Sequence, residues 1–520
     1  MSSVSLSNGA LNTSDGAPAT AAAGAVDAGA SATALHAGLG SVAAAPSRRV
    51  FIENFGCQMN DYDVERMVEV LRKSGFERIE EADGADLIVI NTCSIREKAE
   101  HKAASAAGRY KPLKDKNPNL VVAIGGCVAQ QEGDALLRKI PVADLTFGPD
   151  QIPRLADHFG RISGRSDGSR SDGGSTEGAA PQIPVARSTA IPNRYRLRLA
   201  KTEVIDVEDY EFLTADPRPG DVSVTALVTI QKGCDNYCAY CVVPNTRGRE
   251  VSRPADEVLT EVGRFVALGA KEVTLIGQNV NAYHAIGTPS GDDFAELLRR
   301  VNAVPGLLRL RYTTSHPHYF SKRVADAFAE CDKLCPWLHL PVQAGSTAVL
   351  ARMAREYTRQ DYLDKITYLR GVCPDISLST DIIVGYPGET DADFADTMSL
   401  LQTVRYDSIY SFAYSRRPGT PAIDLPDDVP AEEKSRRLSA VLALQKTITA
   451  ERLSRLVGRR EPVLIEGFAR HSPGQLCGRT GGNHTVNIRG EHPDAASLIG
   501  QIVPVQILES RVHTLVGTLQ

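Results

Sequence analysis

Three cysteines, Cys234, Cys238 and Cys241, fall within eight residues in Gly233-Cys234-Asp235-Asn236-Tyr237-Cys238-Ala239-Tyr240-Cys241. At this C-x3-C-x2-C spacing, thiolates can hold three irons of a cubane 4Fe-4S cluster, and no fourth cysteine lies near enough to close the site. One iron is left open. Bacterial ferredoxin spacing would be C-x2-C-x2-C with a fourth cysteine beside a proline, and that pattern is absent. A zinc site would want two C-x2-C pairs, or one pair with histidines downstream, and neither is near.

An open iron of this kind is where S-adenosylmethionine (SAM) binds in the radical SAM enzymes, whose spacing the triplet resembles. The aromatic residue before the last cysteine, Tyr240, fits their pattern too. A second set of thiols has a different setting. Val50 to Cys57, Ala85 to Cys93 and Leu120 to Cys127 are three short β-branched runs that each end in a cysteine, spaced 36 and then 34 residues apart. Helical stretches lie between them, at 61–74 and 94–111, so the runs read as parallel strands of βα units. In an open α/β sheet the carboxyl ends of parallel strands share one edge, and ligands bind in the crevice outside it. Cys57, Cys93 and Cys127 should therefore converge. One cysteine after a buried strand is usually a small hydrophobe, but three in equivalent places are hard to explain by packing.

The rest of the chain must position these two sets. Its 520 residues, 42% hydrophobic, are enough for two to four domains. No segment reads as a secretory signal, a transit peptide or a membrane span, so the expected setting is a reducing cytoplasm, where clustered cysteines mean metal or catalysis. A net charge of −5 does not announce a nucleic-acid binder, and any RNA contact must come from a local patch. Residues 1–46 are mostly small and polar and read as a disordered tail. An α/β domain is expected over 47–160 and a Gly/Ser-rich flexible linker over 161–200. In the latter, Arg194-Tyr195-Arg196-Leu197-Arg198 could touch RNA phosphates or form a solvated strand edge.

Over 201–456 six strands alternate with helices, at 223–230, 271–276, 308–314, 337–342, 376–384 and 408–414. Helices are expected at 254–268, 292–303, 319–330, 347–371, 391–404 and 429–456. Six units are two short of a closed eight-unit barrel, so a partial, open (βα)6 barrel is expected, with its chemistry at the carboxyl ends of the strands. The polar residues there are Gln278, Asn279 and Asn281; Ser315 and His316; Gln343; Asp381; the turn Gly385-Tyr386-Pro387-Gly388-Glu389; and Arg416-Arg417. As a set they could bind the ribose, amino and carboxylate parts of SAM, with Asp381 suited to ribose hydroxyls. Each alone could equally be a cap or turn former. The last segment, 457–520, shows four short strands at 461–468, 485–488, 502–508 and 513–519 and reads as a small β-barrel. Cys331, Cys335, Cys373 and Cys477 are given no role.

Taken together, these motifs resemble the radical SAM methylthiotransferases. The resemblance rests on Asn54-Phe55-Gly56-Cys57-Gln58-Met59-Asn60, Asn91-Thr92-Cys93, Gly125-Gly126-Cys127, Gly233 to Gly248, Gly277-Gln278-Asn279-Val280-Asn281, Leu338 to Gln343 and Gly385 to Thr390. The final segment is similar to a TRAM domain, a small RNA-binding barrel. The wording around Cys57 and Gln278 points to the branch that acts on dimethylallyladenosine in tRNA. Relatives acting on threonylcarbamoyl-adenosine or on a ribosomal-protein aspartate share the architecture. The tail and the insertion near 165–180 are departures. The resemblance implies two 4Fe-4S clusters, one on Cys234, Cys238 and Cys241 that cleaves SAM to a radical, and one on Cys57, Cys93 and Cys127 that holds sulfur. It implies SAM near Tyr240, Asn279, Ser315, Gln343, Asp381 and Gly385. Its implied partners are the tRNA anticodon loop and a reducing electron donor such as a flavodoxin or ferredoxin, with no membrane. A non-catalytic iron-sulfur RNA-binding protein is the rival of another class; it has no need for an open barrel with polar strand ends.

Overall fold

The computed structural model describes residues 48–56, 58–94, 98–163, 210, 212–214, 216–284, 293–469, 472, 474–490, 492 and 494–520. Cys57, the 1–46 tail, the expected linker beyond Ser163 and the Arg194–Arg198 stretch lie outside the described residues.

The first sheet is wholly parallel, in the order β2-β1-β3-β4-β5. Its strands are β1 (Arg48–Phe55), β2 (Phe76–Arg78), β3 (Leu87–Thr92), β4 (Val121–Gly126) and β5 (Leu145–Phe147). Sequence periodicity marks β1, β3 and β4; β2 and β5, three residues each, are too short to show a period. Every residue of β3 and β4 is buried, as near-continuous apolar strands require when both faces are covered. One face carries α1 (Gln58–Lys73), whose Val64, Met67 and Leu71 join one core. The other carries α2 (Lys98–Lys116), α3 (Cys127–Glu132) and α4 (Asp134–Lys139), with Ala103, Ala106, Val128 and Leu136 in a second core. Helix α5 (Leu155–Ser163) returns to the α1 face through Leu155 and Phe159. Each fully buried aliphatic side chain here contributes roughly 1.5–3 kcal/mol.

The second unit is the open barrel. Strand β6 (Thr225–Thr229) leads through the short β7 (Gln231–Lys232) into the cysteine loop, and α6 (Val243–Arg247) and β8 (Val251–Ser252) close that loop. Then come α7 (Ala255–Ala267), β9 (Glu272–Ile276), α8 (Phe294–Asn302), β10 (Arg309–Tyr312), α9 (Lys322–Glu330) and β11 (Trp337–His339). Helices α10 (Thr347–Arg352) and α11 (Arg359–Val372) precede β12 (Ser377–Val384), α12 (Asp391–Val404), β13 (Ser408–Ala413) and the long α13 (Ala431–Ser454). Parallel sheets β6-β9-β10 and β11-β12-β13 are joined by a bridge between Leu310 and Leu334, and all six expected strands are present.

One expectation fails. The single helix read over 347–371 is two helices, broken where Ala354 takes φ 56° and restarted by the Thr358–Asp361 capping box. A helix cannot run through a left-handed residue, and the break frees Arg355 and Tyr357 to turn inward.

Strands β14 (Arg460–Phe468), β15 (Leu476–Thr480), β16 (Thr485–Ile488), β17 (Ile502–Ser510) and β18 (Thr514–Leu519) close a barrel in the order β14-β15-β16-β18-β17. The sequence reading missed β15, whose Leu-Cys-Gly-Arg-Thr lacks a β-branched run. This barrel docks on the amino-terminal ends of the larger barrel's strands. Arg309 donates to the carbonyls of Arg479 and Pro462, Arg311 to those of Gly481 and Thr480, and His484 faces Asp407 and Ser377. It therefore sits at the end opposite the cysteine loop. Among the described residues no helix is long and apolar enough to cross a membrane.

Candidate cluster and cofactor sites

At the edge of the first sheet, Thr92 is in register with both Phe55 of β1 and Gly126 of β4. Cys93 and Cys127 follow at once, both buried, and Cys57 lies just beyond the described end of β1. Hydrogen bonds that the cysteine pattern does not reveal lock this edge. Asn60 Nδ2 donates to Thr92 O at 2.8 Å; Asn91 Nδ2 donates to Asn54 Oδ1 and to Asn60 O, each at 3.1 Å; and Thr92 Oγ1 donates to Gly125 O at 2.6 Å. The asparagines sit at fixed places beside the cysteines, which is the signal that could have found them.

In the barrel, Gly233 opens the cysteine loop at φ 74°, where a Cβ would lie 1.9 Å from Arg249 O. Asp235 is held by Arg249 in a two-pronged pair, Nε to Oδ1 and Nη2 to Oδ2 both at 2.8 Å. Ala239 donates its N–H to Met353 O, in the break between α10 and α11, and Ala422 donates to Ala239 O. Cys234 Sγ accepts from Asn236 Nδ2 at 3.2 Å. Cys238 Sγ lies 3.4 Å from Arg355 Nη1 and 4.0 Å from His316 Nε2. Because His316 Nδ1 accepts the His318 N–H at 3.2 Å, the neutral ring carries its proton on Nε2, facing the sulfur. Burial, with the Arg355 cation next, pushes the His316 imidazolium down to about 2, so the ring stays neutral. Burial likewise pushes the Cys234 thiol up to about 12 and raises Cys241 further, with the neighbouring thiols adding to the rise. Thiols that resist ionisation this strongly need a bound cation to become ligands.

Among the described residues no group of three or more His, Cys, Asp or Glu could hold a single metal ion. A cubane takes each thiolate on a different iron, so that gathering is not required of it. Both donor sets fit a cluster in their chemistry: all-sulfur, with Cys93, Cys127 and Cys238 buried, and in the barrel supplied with N–H groups pointed at sulfur. Among the described residues no cysteine is in a disulfide.

The expected SAM contacts fare unevenly. Asn279 is buried, and neither Oδ1 nor Nδ2 has a protein partner; the Oγ of buried Ser315 and Nε2 of Gln278 are also unpartnered. Leaving such groups unsatisfied costs about 1–3 kcal/mol each, so a polar ligand at these strand ends fits what they lack. Asn281 and His316 are spent on each other, Nδ2 to O and N to Oδ1 at 2.9 Å each. Gln343, at φ 75°, uses its backbone N–H on Asp381 O and its carbonyl on the Ile383 N–H, which leaves only its side chain for a ligand. Asp381 is half-buried, 3.6 Å from His339 Nε2, and keeps acceptor capacity. The Gly385 N–H is taken by Glu389, so the glycine serves the turn. Tyr240 packs against the barrel core with its hydroxyl 3.5 Å from Arg355 Nη1 and forms a wall of the loop.

The sequence reading missed the cations on either side of the cysteine loop. Lys232 Nζ pairs with Asp150 at 2.8 Å, and Arg247 pairs with Asp63, Nη1 to Oδ1 at 3.3 Å, all four side chains being buried. Met59 and Tyr62 of α1 pack on Ile276 and Leu227 beside them. The cysteine loop is thus clamped at both ends to the domain that carries the other cysteines.

Three family descriptions match the chain: "Uncharacterized protein family UPF0004" over residues 49–148, "Radical SAM superfamily" over 228–401 and "TRAM domain" over 454–519. In fold the chain resembles the radical S-adenosylmethionine methyltransferase TsrM from Kitasatospora setae, with a TM-score of 0.50 and 16% identity over 72% of this chain and 77% of that one. Among curated relatives named tRNA-2-methylthio-N(6)-dimethylallyladenosine synthase, that of Syntrophotalea carbinolica is 45% identical over 88% of this chain and 96% of its own. Those of Bordetella pertussis and Paraburkholderia xenovorans are each 44% identical, over 90% and 91% of this chain and 97% of their own lengths. At this identity and coverage the chain belongs to the tRNA-2-methylthio-N(6)-dimethylallyladenosine synthase family of radical SAM proteins.

Proposed function

We propose that the chain methylthiolates carbon 2 of N6-dimethylallyladenosine at position 37 of tRNA, next to the anticodon. The observation that carries this reading is the joining of two separate cysteine sets by buried ion pairs, one set in an open barrel with unpartnered polar strand ends and one at a parallel-sheet edge. Cys234, Cys238 and Cys241 hold one 4Fe-4S cluster and Cys57, Cys93 and Cys127 the other. When bound, the clusters and two molecules of SAM supply the one-electron chemistry, the sulfur and the methyl group that an unactivated C–H position demands. Asn279, Ser315 and Gln343 offer side-chain hydrogen bonds to SAM, Asp381 accepts from ribose hydroxyls, and Tyr240 and Gly385 shape the loop and turn around it.

Residues 47–160 present one cluster, 201–456 the barrel and 457–520 an RNA-binding module. The substrate base lies in a single-stranded loop and can be splayed out of its stack. An RNA touching both the cysteine loop and the small barrel must span the larger barrel, roughly 20 Å by strand rise. The setting is a reducing cytoplasm, with a flavodoxin or ferredoxin as electron donor.

The test uses the Cys57→Ala, Cys93→Ala, Cys127→Ala triple variant. Iron should fall from about eight to about four per chain. 5'-Deoxyadenosine should still form from SAM and reductant, and methylthiolated adenosine should disappear. A variant that keeps all its iron, or still makes product, removes the first domain from sulfur insertion. Nucleoside analysis of tRNA from a deletion strain separates this substrate from threonylcarbamoyl-adenosine.

A further inference from the structure

Arg355 is a buried cation without a carboxylate. Its Nε donates to Tyr357 Oη at 2.8 Å and its Nη2 to Pro341 O at 2.8 Å, while Nη1 faces Cys238 Sγ at 3.4 Å and Tyr240 Oη at 3.5 Å. Only 7% of the residue is exposed. Among the described residues no Asp or Glu pairs with it. Most other buried guanidiniums meet a carboxylate: Arg247 meets Asp63, Arg253 meets Glu261, Arg311 meets Glu272 and Arg437 meets Glu389, while Arg309 is spent on the carbonyls of Arg479 and Pro462. A charge taken out of water without a counter-charge is strongly unfavourable. The phenols and the carbonyl around Arg355 provide dipoles only. Cys238 is the one neighbour that can become an anion beside it by binding metal.

We propose that Arg355 is the fixed counter-charge of an iron-sulfur cluster at Cys238, and that it sets how readily this cluster accepts an electron. This rests on reading Cys234, Cys238 and Cys241 as a cluster site. The redox step adds one electron from a low-potential one-electron donor to the cluster; no proton moves, and the negative charge at the site rises by one. A guanidinium that cannot deprotonate, 3.4 Å from a ligating sulfur, favours the more negative, reduced form. Hydrogen bonds to cluster sulfurs and net charge are the levers by which a protein tunes such potentials. Arg355 acts through Cys238 and is a positioning residue. The break between α10 and α11 exists to deliver it: Ala354 ends one helix at φ 56°, and the next begins at Arg359.

The experiment is an EPR-monitored redox titration of the full chain carrying Cys57→Ala, Cys93→Ala and Cys127→Ala, so that a single cluster titrates. Arg355→Gln keeps an N–H donor and removes the charge, whereas Arg355→Lys keeps the charge. In the glutamine variant the reduced form should lose at least tenfold in relative stability, a downward shift of about 59 mV or more for one electron. The lysine variant should stay within that margin of its parent. Loss of iron from the glutamine variant alone also supports the counter-charge role. The proposal is overturned if the glutamine variant keeps iron at an unchanged midpoint, if lysine falls as far as glutamine, or if both variants lose iron. A parent that binds no iron at all overturns the reading of the cysteine loop as well, which sets that failure apart from the others.

Discussion

Replacing Gly126 with alanine tests whether the edge of the first sheet holds a cluster. Gly126 ends β4 and precedes Cys127 at φ 93°, ψ −165°, a region open almost only to glycine. A residue with a side chain forced to stay there costs about 1–3 kcal/mol. The added Cβ would lie 2.2 Å from Thr92 O, and since real Cβ contacts do not fall below 3.0 Å, one strand must move by about 0.8 Å. Thr92 cannot yield cheaply, because its carbonyl accepts from Asn60 and its hydroxyl donates to Gly125 O. Overpacking of this kind adds about 1–3 kcal/mol. Roughly 2–6 kcal/mol of strain then falls between Cys93 and Cys127, where cluster ligands must keep fixed separations. Anaerobically reconstituted Gly126→Ala protein should hold nearer four than eight irons per chain, keep its far-UV circular dichroism and still form 5'-deoxyadenosine. Gly75→Ala is the control: it has a positive φ in the same domain, but nothing lies within 4 Å of its added Cβ, so iron should be retained. Full iron occupancy in Gly126→Ala would refute the reasoning.

Two further predictions concern the joints between the units and a third the exposed face of the small barrel. Burial works to raise the Asp407 carboxyl, but hydrogen bonds from His484, Arg452 and the Leu378 N–H outweigh it and hold the group below its ordinary value. A depressed carboxyl stabilises the fold above the unfolded value of about 4, and the contribution is lost as pH falls through the folded value. The gap in unfolding midpoint between wild type and Asp407→Asn should be steady near neutrality and close on acidification; a gap that widens in acid contradicts this. Lys232→Met removes the ammonium that pairs with the buried Asp150 carboxylate and should cost about 3–5 kcal/mol, most of it recovered by adding Asp150→Asn. Additive losses in urea unfolding would show that the pair is not coupled. Arg489 and Arg511 are well exposed on the small barrel, and among the described residues their side chains pair with the surface carboxylate of Glu509. Replacing both with glutamate should weaken tRNA binding and lower the magnitude of its salt slope by about one for each phosphate no longer neutralised, whereas unchanged affinity at every salt concentration excludes this face from the RNA.

What the sequence determined by itself is what depends on neighbours along the chain. The Cys234 triplet is local, so its spacing names its chemistry. The strand-helix alternation and the cysteine after each of three strands are also local, and the shared edge of a parallel sheet brings Cys93 and Cys127 to adjacent strand ends. The six barrel strands were legible because each lies in an apolar run between helical stretches, even β11, which is three residues long. β2 and β5, equally short, have no such run around them and were not. Helix propensity ran through 347–371 because Ala354 and Arg355 are ordinary helix formers; only packing of the loop against the cysteine segment makes the break worth its conformational cost. Tertiary structure alone decided what surrounds the sulfurs. Arg355 and His316 reach Cys238 from 117 and 78 residues away, and Asp63 reaches Arg247 from 184. No pattern along the chain encodes such pairs, because a buried charge is selected by what it meets across the fold, and that meeting exists only once the barrel, the first sheet and the loop between α10 and α11 have packed.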